Sequence, residues 1–134
     1  ALAAGLESIF CVGESLQQRE DGQTQEVIEQ QLKEGLNKFT ISDINKLLIA
    51  YEPVWAIGTG KTASPEQAQE VHFFIRDWIC KEFGSDSGSR LAILYGGSVT
   101  PKNIAALMAQ PDVDGALVGG ASLDVESFIQ LISY

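Results

Sequence analysis

The run Lys46-Leu47-Leu48-Ile49-Ala50-Tyr51-Glu52 is apolar along most of its length and ends on a carboxylate. Continuous apolar runs of this length predict strands that are buried on both faces of a parallel sheet. Three further runs have the same β-like composition, at residues 8–13, 90–96 and 115–119. The sequence therefore predicts a sheet of four parallel strands.

Amphipathic helical patterns alternate with these runs. Ser64-Pro65-Glu66-Gln67 gives a capping-box start to a helix over residues 65–83, and Thr100-Pro101 opens another helix in the same way. A helix is also predicted over residues 24–39, and a last one over residues 123–133. The apolar positions expected to be buried are Val27, Ile28, Leu32, Leu36 and Phe39, then Ala68, Val71, Ile75, Trp78 and Ile79, then Val125, Phe128, Ile129 and Ile132.

The resulting order, βαβαβαβα with right-handed crossovers, is an α/β fold. Four parallel strands fit a small doubly wound domain, and they fit equally well one half of an eight-stranded barrel. No linker or low-complexity tract divides the chain, so residues 1–134 are predicted to form one domain. Its first residues, Ala1 to Gly5, read as the last turn of a helix, which indicates that the chain begins partway through a larger protein.

Charge and composition exclude several classes of partner. The 134 residues carry a formal net charge of −9, which argues against nucleic acid and anionic membranes. No apolar run approaches the roughly 20 residues of a bilayer span, and no secretory signal is visible. Cys11 and Cys80 lack the spacing of a metal or redox site, so two buried thiols in a reducing cytoplasm are expected. No metal or cofactor is predicted.

The segment that follows Glu52 predicts a lid. Glu52 stands at the carboxyl end of a parallel strand, where α/β folds keep their chemistry, although a solvated strand-end carboxylate is the simpler alternative. The loop over residues 53–63 carries Val54, Trp55 and Ile57, which suits a lid that folds over a ligand, or else a loop packed permanently on the rim. Its glycines fit neither a P-loop nor a dinucleotide-binding turn.

Paired glycines end the last two predicted strands, in Tyr95-Gly96-Gly97-Ser98 and Val118-Gly119-Gly120-Ala121-Ser122. Such turns let successive backbone N–H groups point at one anion, and each pair is expected to lead into a helix start that favours negative charge. Phosphate binding is therefore predicted at this edge.

Weaker signals are assigned structural roles. His72 lies mid-helix and is expected on the helix surface or in packing, and Arg76 with Asp112 is expected to be a structural pair. Glu14 follows the first strand and stands where it can reach the lid.

The motif Ala50-Tyr51-Glu52-Pro53-Val54-Trp55-Ala56-Ile57-Gly58-Thr59-Gly60-Lys61-Thr62-Ala63 resembles the catalytic strand and lid of the triosephosphate isomerase family. Cys11-Val12-Gly13-Glu14, Tyr95-Gly96-Gly97-Ser98-Val99 and Gly115-Ala116-Leu117-Val118-Gly119-Gly120-Ala121-Ser122 follow the family's order. The resemblance covers essentially the whole chain. It implies a (βα)8 TIM barrel of which this chain supplies four βα units, strands five to eight.

The resemblance also implies a role for each matching residue. Glu52 matches the catalytic base that interconverts dihydroxyacetone phosphate and glyceraldehyde 3-phosphate in glycolysis and gluconeogenesis. The phosphate-binding backbone N–H groups match Gly58, Ser98, Gly119 and Gly120. The lid and clamp match Trp55, Ile57, Lys61, Tyr95 and Leu117, with Glu14 as the open-lid partner of Trp55. The implied partners are a triose phosphate, a missing N-terminal half and, in the parent family, a second subunit of a homodimer.

Departures from the family pattern leave two alternatives. The family's electrophilic histidine and active-site lysine belong to early strands, and neither His72 nor Lys61 stands at those positions. The chain alone is therefore expected to have little or no isomerase activity. One alternative is another phosphate-binding barrel, such as a sugar-phosphate epimerase or aldolase, although no strand-end lysine or His/Asp cluster is present. The other is a non-catalytic, self-associating half-barrel that retains only a phosphate-binding surface.

Overall fold

The computed structural model describes residues 1–59 and 61–134, so Gly60 of the lid motif lies outside the described residues. Four parallel strands form one sheet in the order β1-β2-β3-β4. Their bounds are Ser8–Val12 (β1), Leu47–Tyr51 (β2), Ile93–Tyr95 (β3) and Gly115–Ala116 (β4). Each strand pairs with its neighbour in sequence, as a half-barrel requires. The predicted four-stranded α/β architecture is confirmed.

Helices connect the strands. They are Leu16–Glu20 (α1), Thr24–Leu36 (α2), Ile41–Ile44 (α3), Pro65–Phe83 (α4), Ser85–Arg90 (α5), Ile104–Met108 (α6) and Val125–Ile132 (α7). Short 3-10 turns occur at Leu2–Ala4, Val54–Ala56 and Gly120–Leu123. Gly5 ends the first turn in the left-handed region, with φ at 74°, as its sequence position indicates.

The long helix α4 keeps its predicted bounds because its end signals are complete. Ser64 accepts a hydrogen bond from the Gln67 backbone, the Gln67 side chain returns to the Ser64 N–H, and Pro65 occupies the first turn. All five of its predicted apolar positions are buried. The shorter helices differ from expectation: α2 ends at Leu36 rather than residue 39, and α6 begins at Ile104 after a turn.

One sheet face forms the core with the helices. Val12, Ile49, Tyr51, Ile93 and Tyr95 are buried in a cluster with apolar residues of α2, α4 and α6. In the parallel register, Cys11 lies beside Ala50 and Ala50 beside Leu94, on the opposite face.

That opposite face corrects the prediction of strands buried on both sides. Ile9 on β1 is 44% exposed, Cys11 is exposed rather than buried, and Leu48 and Leu94 are only half-buried. Cys80 is half-buried as well. The physical reason is that helices pack on one face, whereas the inner face of a four-stranded sheet meets no second layer.

The last helix corrects a second prediction. Val125, Phe128, Ile129 and Ile132 were expected inside, yet they are 73%, 40%, 53% and 66% exposed, while Leu131 is buried. The apolar stripe forms as the spacing predicts, but no described element of the chain covers it. Val27 and Phe39 on the α2 side are likewise half-buried rather than buried.

Candidate active site

Glu52 follows directly after β2 and is held at the sheet end by main-chain pairing. Its N–H donates to the carbonyl of Val12 over 2.7 Å, and the next strand continues the ladder because the Gly96 N–H donates to the carbonyl of Tyr51 over 2.8 Å. The Glu52 side chain is half-buried. A carboxylate is thus fixed at the carboxyl edge of the sheet, with part of its surface open to solvent.

Two glycines make room for this carboxylate. A Cβ added to Gly96 would lie 2.6 Å from Cγ and 3.0 Å from Oε1 of Glu52. A Cβ on Gly13 would overlap the Glu52 carbonyl oxygen. Glycine is therefore required on both sides by close approach, and the Glu52 side chain packs directly on the β3 turn.

Cys11 is a neighbour of Glu52 that the sequence reading missed. Burial raises the pKa of the Cys11 thiol, and the negative charge of Glu52 and a hydrogen bond to it raise the pKa further. The contact between Cys11 and Glu52 can be predicted from the sequence only together with the strand register. Because side chains alternate along strands, Cys11 and Glu52 fall on the same face once the parallel register is known.

The predicted phosphate-binding residues line one cavity of about 420 Å³. It brings together Gly58 and Ile57 from the lid, Gly96 to Thr100 after β3, and Gly119 to Ala121 after β4. Ser98 belongs to the middle segment. Gly96 also packs on Glu52, so the carboxylate and the cavity share one wall.

Backbone donors are free in this cavity. Within the described part of the chain, the N–H groups of Gly58, Ser98 and Gly119 donate to no backbone carbonyl. Gly58 adopts φ of 67°, a conformation that glycine favours. The α-helices α6 and α7 begin later, at Ile104 and Val125, so α6 does not start at its glycine pair. The second pair does lead directly into a helical turn, the 3-10 turn Gly120–Leu123. These free N–H groups are the donors that the cavity offers.

The first half of the loop over residues 53–63, which we predicted to be a lid, is tied to a buried carboxylate. Trp55 Nε1 donates to Oε1 of Glu14 over 3.0 Å, as the sequence led us to expect. The same oxygen accepts from the Tyr51 hydroxyl over 3.0 Å and from Arg19 Nη1 over 3.1 Å. Glu14 is fully buried, and the Arg19 guanidinium lies over the Trp55 ring, 5.4 Å from its centroid. Sequence reading missed Arg19 and Tyr51.

The second half of the lid is tied to β3. The N–H of Ala63 donates to the hydroxyl of Tyr95 over 3.1 Å, and Thr62 Oγ1 donates to the carbonyl of Ser98 over 3.1 Å. Tyr95 is fully buried. Between these two ends, Ile57 is 47% exposed and Lys61 is exposed. Leu117 is half-buried and lies outside the set of residues that line the cavity.

His72 is a packing residue, as predicted. It is fully buried, its Nδ1 lies 3.2 Å from the carbonyl oxygen of Asp112, and its ring contacts those of Tyr51 and Tyr95. Burial lowers its pKa to about 4. His72 is thus a neutral member of the core. The predicted pairing of Arg76 with Asp112 is confirmed by a distance of 2.7 Å.

Metal and membrane features are absent from the described residues. No group of three or more His, Cys, Asp or Glu side chains there is placed to hold a metal ion. None of the helices in residues 1–59 and 61–134 combines the length and apolarity needed to cross a membrane.

A carboxylate and a cavity of free N–H groups at the carboxyl edge of parallel strands define an α/β protein with its candidate site at the edge where such folds keep their chemistry. Comparison of sequences is more specific. The sequence model described as "Triosephosphate isomerase" matches residues 1–134. The chain therefore belongs to the triosephosphate isomerase family, and its fold is a half of the TIM barrel.

Individual relatives agree with this assignment. The triosephosphate isomerase of Geotalea uraniireducens is 53% identical over 134 residues, which is 100% of this chain and 53% of that protein. That of Trichlorobacter lovleyi is 54% identical over the same shares. That of Carboxydothermus hydrogenoformans is 56% identical over 132 residues, 98% of this chain and 53% of that protein. The chain spans about half the length of the curated relatives it matches.

Proposed function

We propose that this chain supplies the C-terminal half of a triosephosphate isomerase active site, as a single domain over residues 1–134. The observation that carries the proposal is the shared wall at Gly96. Glu52 packs on it from one side, and the cavity lined by Gly58, Ser98, Gly119 and Gly120 opens on the other. The proposed base and the proposed anion site therefore adjoin the same residue, Gly96.

The cavity holds the phosphate of the substrate through backbone donors. The protein has a net charge of −9, so its overall field repels a phosphate, and binding depends on local N–H groups. The N–H groups of Gly58, Ser98 and Gly119 have no backbone acceptor in the described chain and are available for this purpose. Gly120, next along the same turn, adds a fourth donor.

Glu52 then moves a proton between neighbouring carbons. Its carboxylate takes a proton from C1 of dihydroxyacetone phosphate, which leaves an enediolate. A proton then passes from the oxygen on C1 to the oxygen on C2, and the carboxylate returns its own proton to C2 to give glyceraldehyde 3-phosphate. One carboxylate serves both steps because each of its oxygens reaches an adjacent carbon. The family is a standard illustration of a glutamate base beneath a closing loop.

The lid excludes water during this transfer. We propose that Ile57, which is 47% exposed, folds inward, and we assign Leu117 as the apolar residue that it meets over the base. Trp55 and Tyr95 anchor the two lid halves, and Lys61 belongs to the exposed tip. Removing water raises the basicity of a carboxylate and protects an enediolate from losing phosphate.

We assign no described residue of this chain to stabilise the oxyanion that develops on the substrate. We assign neither His72 nor Lys61 as the electrophile, because His72 is buried in the core with its Nδ1 beside the carbonyl oxygen of Asp112 and Lys61 is exposed to solvent. Such electrostatic stabilisation is usually the largest contribution to catalysis. We therefore propose that the chain alone has little or no isomerase activity, and that it works in the cytoplasm with an N-terminal half, within a homodimer.

An isomerisation assay tests this proposal. The chain is assayed alone and after mixing with the N-terminal half of a bacterial relative, with Glu52→Asp as a variant that retracts the carboxylate by one methylene. We expect activity in the mixture only, with a loss of about a hundredfold in the variant. A correctly assembled but inactive mixture would contradict the catalytic proposal. Activity of the chain alone would contradict the need for the missing electrophile.

A second candidate function is a non-catalytic, self-associating half-barrel that retains a phosphate-binding surface. The observation in its favour is the exposed apolar stripe of α7, which a solitary domain rarely leaves open. Titration with inorganic phosphate, followed through backbone amide NMR signals of Gly58, Ser98 and Gly119, tests the binding surface. Shifts at these three residues without any isomerisation in the mixed assay would favour this candidate over the first.

A further inference from the structure

The turn after β3 is held by one side-chain amide. Asn103 lies immediately before α6, and its Oδ1 accepts a hydrogen bond from the N–H of Thr100 over 2.7 Å. Its Nδ2 donates to the carbonyl oxygen of Ser98 over 3.0 Å. Asn103 is half-buried, and both ends of its amide therefore hold the same short segment of chain.

The same amide also contacts the lid. The carbonyl oxygen of Ser98 accepts a second hydrogen bond, from Thr62 Oγ1 over 3.1 Å, and Asn103 Nδ2 donates to that hydroxyl oxygen over 3.4 Å. Thr62 precedes Ala63, whose N–H donates to the hydroxyl of Tyr95. One carbonyl oxygen thus joins the second half of the lid to the turn after β3, and Asn103 contacts both segments.

This turn forms part of the proposed phosphate site. Gly97, Ser98 and Thr100 line the cavity of about 420 Å³, whereas Asn103 lies outside the set of residues that line it. Within residues 1–59 and 61–134, the N–H of Ser98 donates to no backbone carbonyl. Because a peptide unit is planar, two donors on the Ser98 carbonyl fix the Ser98–Val99 peptide and restrict rotation at Ser98. The direction of the free N–H depends on that restriction.

A simpler role for Asn103 is that of a helix cap. Asp43 makes the matching contact in α3, where its carboxylate accepts from the N–H of Thr40, three residues earlier, over 2.9 Å. That contact needs an acceptor only, and an ionised carboxylate has no hydrogen to donate. The donor contacts of Asn103 with Ser98 and Thr62 are what an amide adds to the cap, and they are the contacts that involve the cavity and the lid.

We propose that Asn103 is a positioning residue for the substrate phosphate. Its Nδ2 holds the Ser98 carbonyl, and through Thr62 the second half of the lid, so that the free N–H of Ser98 keeps its direction toward the bound anion. Asn103 acts through these two residues and needs no contact with the phosphate itself. This inference deepens the proposed function and rests on it. The contacts that carry it all lie within residues 62–103 of this chain.

Titration with inorganic phosphate tests this role, with the backbone amide NMR signals of Gly58, Ser98 and Gly119 as the readout. Asn103→Ala removes the acceptor and the donor, whereas Asn103→Asp keeps an acceptor for Thr100 and removes the donor. We expect both variants to bind phosphate about tenfold more weakly, because each misplaces one hydrogen-bond donor to a charged group. In urea, the unfolding midpoint should fall for Asn103→Ala and stay unchanged for Asn103→Asp, which retains the cap.

Asp43→Ala is the matched control. It removes the same kind of cap from α3, which leads into the start of β2, whereas the cavity lies beyond the carboxyl ends of the strands. The unfolding midpoint of Asp43→Ala should fall, but its phosphate affinity should change less than about twofold. The neutral Asn103→Ala controls for the charge that Asn103→Asp introduces. Weaker phosphate binding in Asn103→Asp alone would reflect that charge and would overturn the proposal.

The isomerisation assay of the mixed halves separates substrate binding from the proton transfer. With Asn103→Ala, KM for the triose phosphate should rise about tenfold while kcat falls less than about threefold, because Glu52 keeps its contacts. A fall in kcat at unchanged KM, or a phosphate affinity of Asn103→Ala equal to that of the unchanged chain, would overturn this inference and leave the proposed function in place. Failure of the unchanged chain to bind phosphate would instead remove the proposed anion site, and this inference with it.

Discussion

Trp55 on the lid and Glu14 after β1 are joined by a 3.0 Å hydrogen bond, although 41 residues separate them in sequence. The accepting oxygen also receives the Tyr51 hydroxyl and Arg19, so a single buried oxygen organises three donors from three segments. Burial, followed by the charge of Glu14, raises the pKa of the Tyr51 hydroxyl, which keeps it a donor at neutral pH. The lid's first half is thereby fixed to the sheet edge.

Replacing Glu14 should therefore lower the free energy of unfolding far more than replacing an ordinary surface carboxylate does. We expect Glu14→Ala to lower the free energy of unfolding by about 3 kcal/mol, because it leaves a guanidinium, a hydroxyl and an indole N–H without their acceptor. Glu14→Gln keeps one acceptor oxygen and should therefore lower the free energy of unfolding by less. Urea denaturation measures both, with exposed Glu26→Ala on α2 as the control. Equal losses in Glu14→Ala and Glu26→Ala would contradict this role.

The contact between Cys11 and Glu52 predicts unusual thiol chemistry. Burial and the Glu52 carboxylate raise the pKa of Cys11, so less thiolate is present at a given pH than in a free cysteine. In a Cys80→Ser background, we expect Glu52→Gln to speed alkylation of Cys11 several-fold at pH 8. The rate with iodoacetamide measures this. No change in rate would show that the two side chains do not interact, and Glu82→Gln serves as a distant control.

His72 predicts a loss of stability in mild acid. Its pKa is about 4 in the folded chain against 6.5 for an unperturbed histidine, so between these values the unfolded state binds the extra proton. The free energy of unfolding should then fall as the pH drops through this window, by about 3 kcal/mol in total, and should not change above it. Urea denaturation at pH 7 and pH 4.5 measures the loss. The free energy of unfolding of His72→Asn should fall less between pH 7 and pH 4.5. A fall identical to that of the unchanged chain would contradict the assignment of this loss to His72.

Arg76 predicts a strong difference between arginine and lysine. Its guanidinium donates to Asp112, Asp114 and the carbonyls of Gly88 and Leu91 over 2.7 to 3.0 Å. An ammonium group lacks this fork, so Arg76→Lys should destabilise the chain by about 2 kcal/mol. Arg90→Lys is the matched control, because Arg90 and its partner Asp86 are both more than 70% exposed. The temperature of thermal unfolding should be clearly lower for Arg76→Lys than for Arg90→Lys.

The sequence predicted local structure best where a helix has both a recognisable start and a long apolar stripe. The capping box at Ser64 and the Pro at position 65 fixed the start of α4, and its stripe fixed the buried face. The same type of box begins α1 at Ser15 and α3 at Thr40, but these helices were missed. They have five and four residues, too short for an apolar period to appear.

Burial was predicted less well because a pattern identifies an apolar face without identifying what covers it. The stripe of α7 and the inner face of β1 were both recognised as apolar, and both are largely exposed. Long-range neighbours were the other gap. Two examples are the contact of Cys11 with Glu52 and that of Arg19 with Trp55. They depend on the strand register and on which distant segments meet, and the spacing of residues in one sequence does not show either.

The sequential order of the strands also has a consequence for how the chain folds. Leu94 meets Gly115, Ser8 meets Leu47 and Ile49 meets Ile93, so every pairing closes a loop of modest length. Loop-closure entropy rises with length, and folding rates fall as contacts become more distant in sequence. The sheet can therefore grow one βαβ unit at a time, without waiting for remote segments to meet.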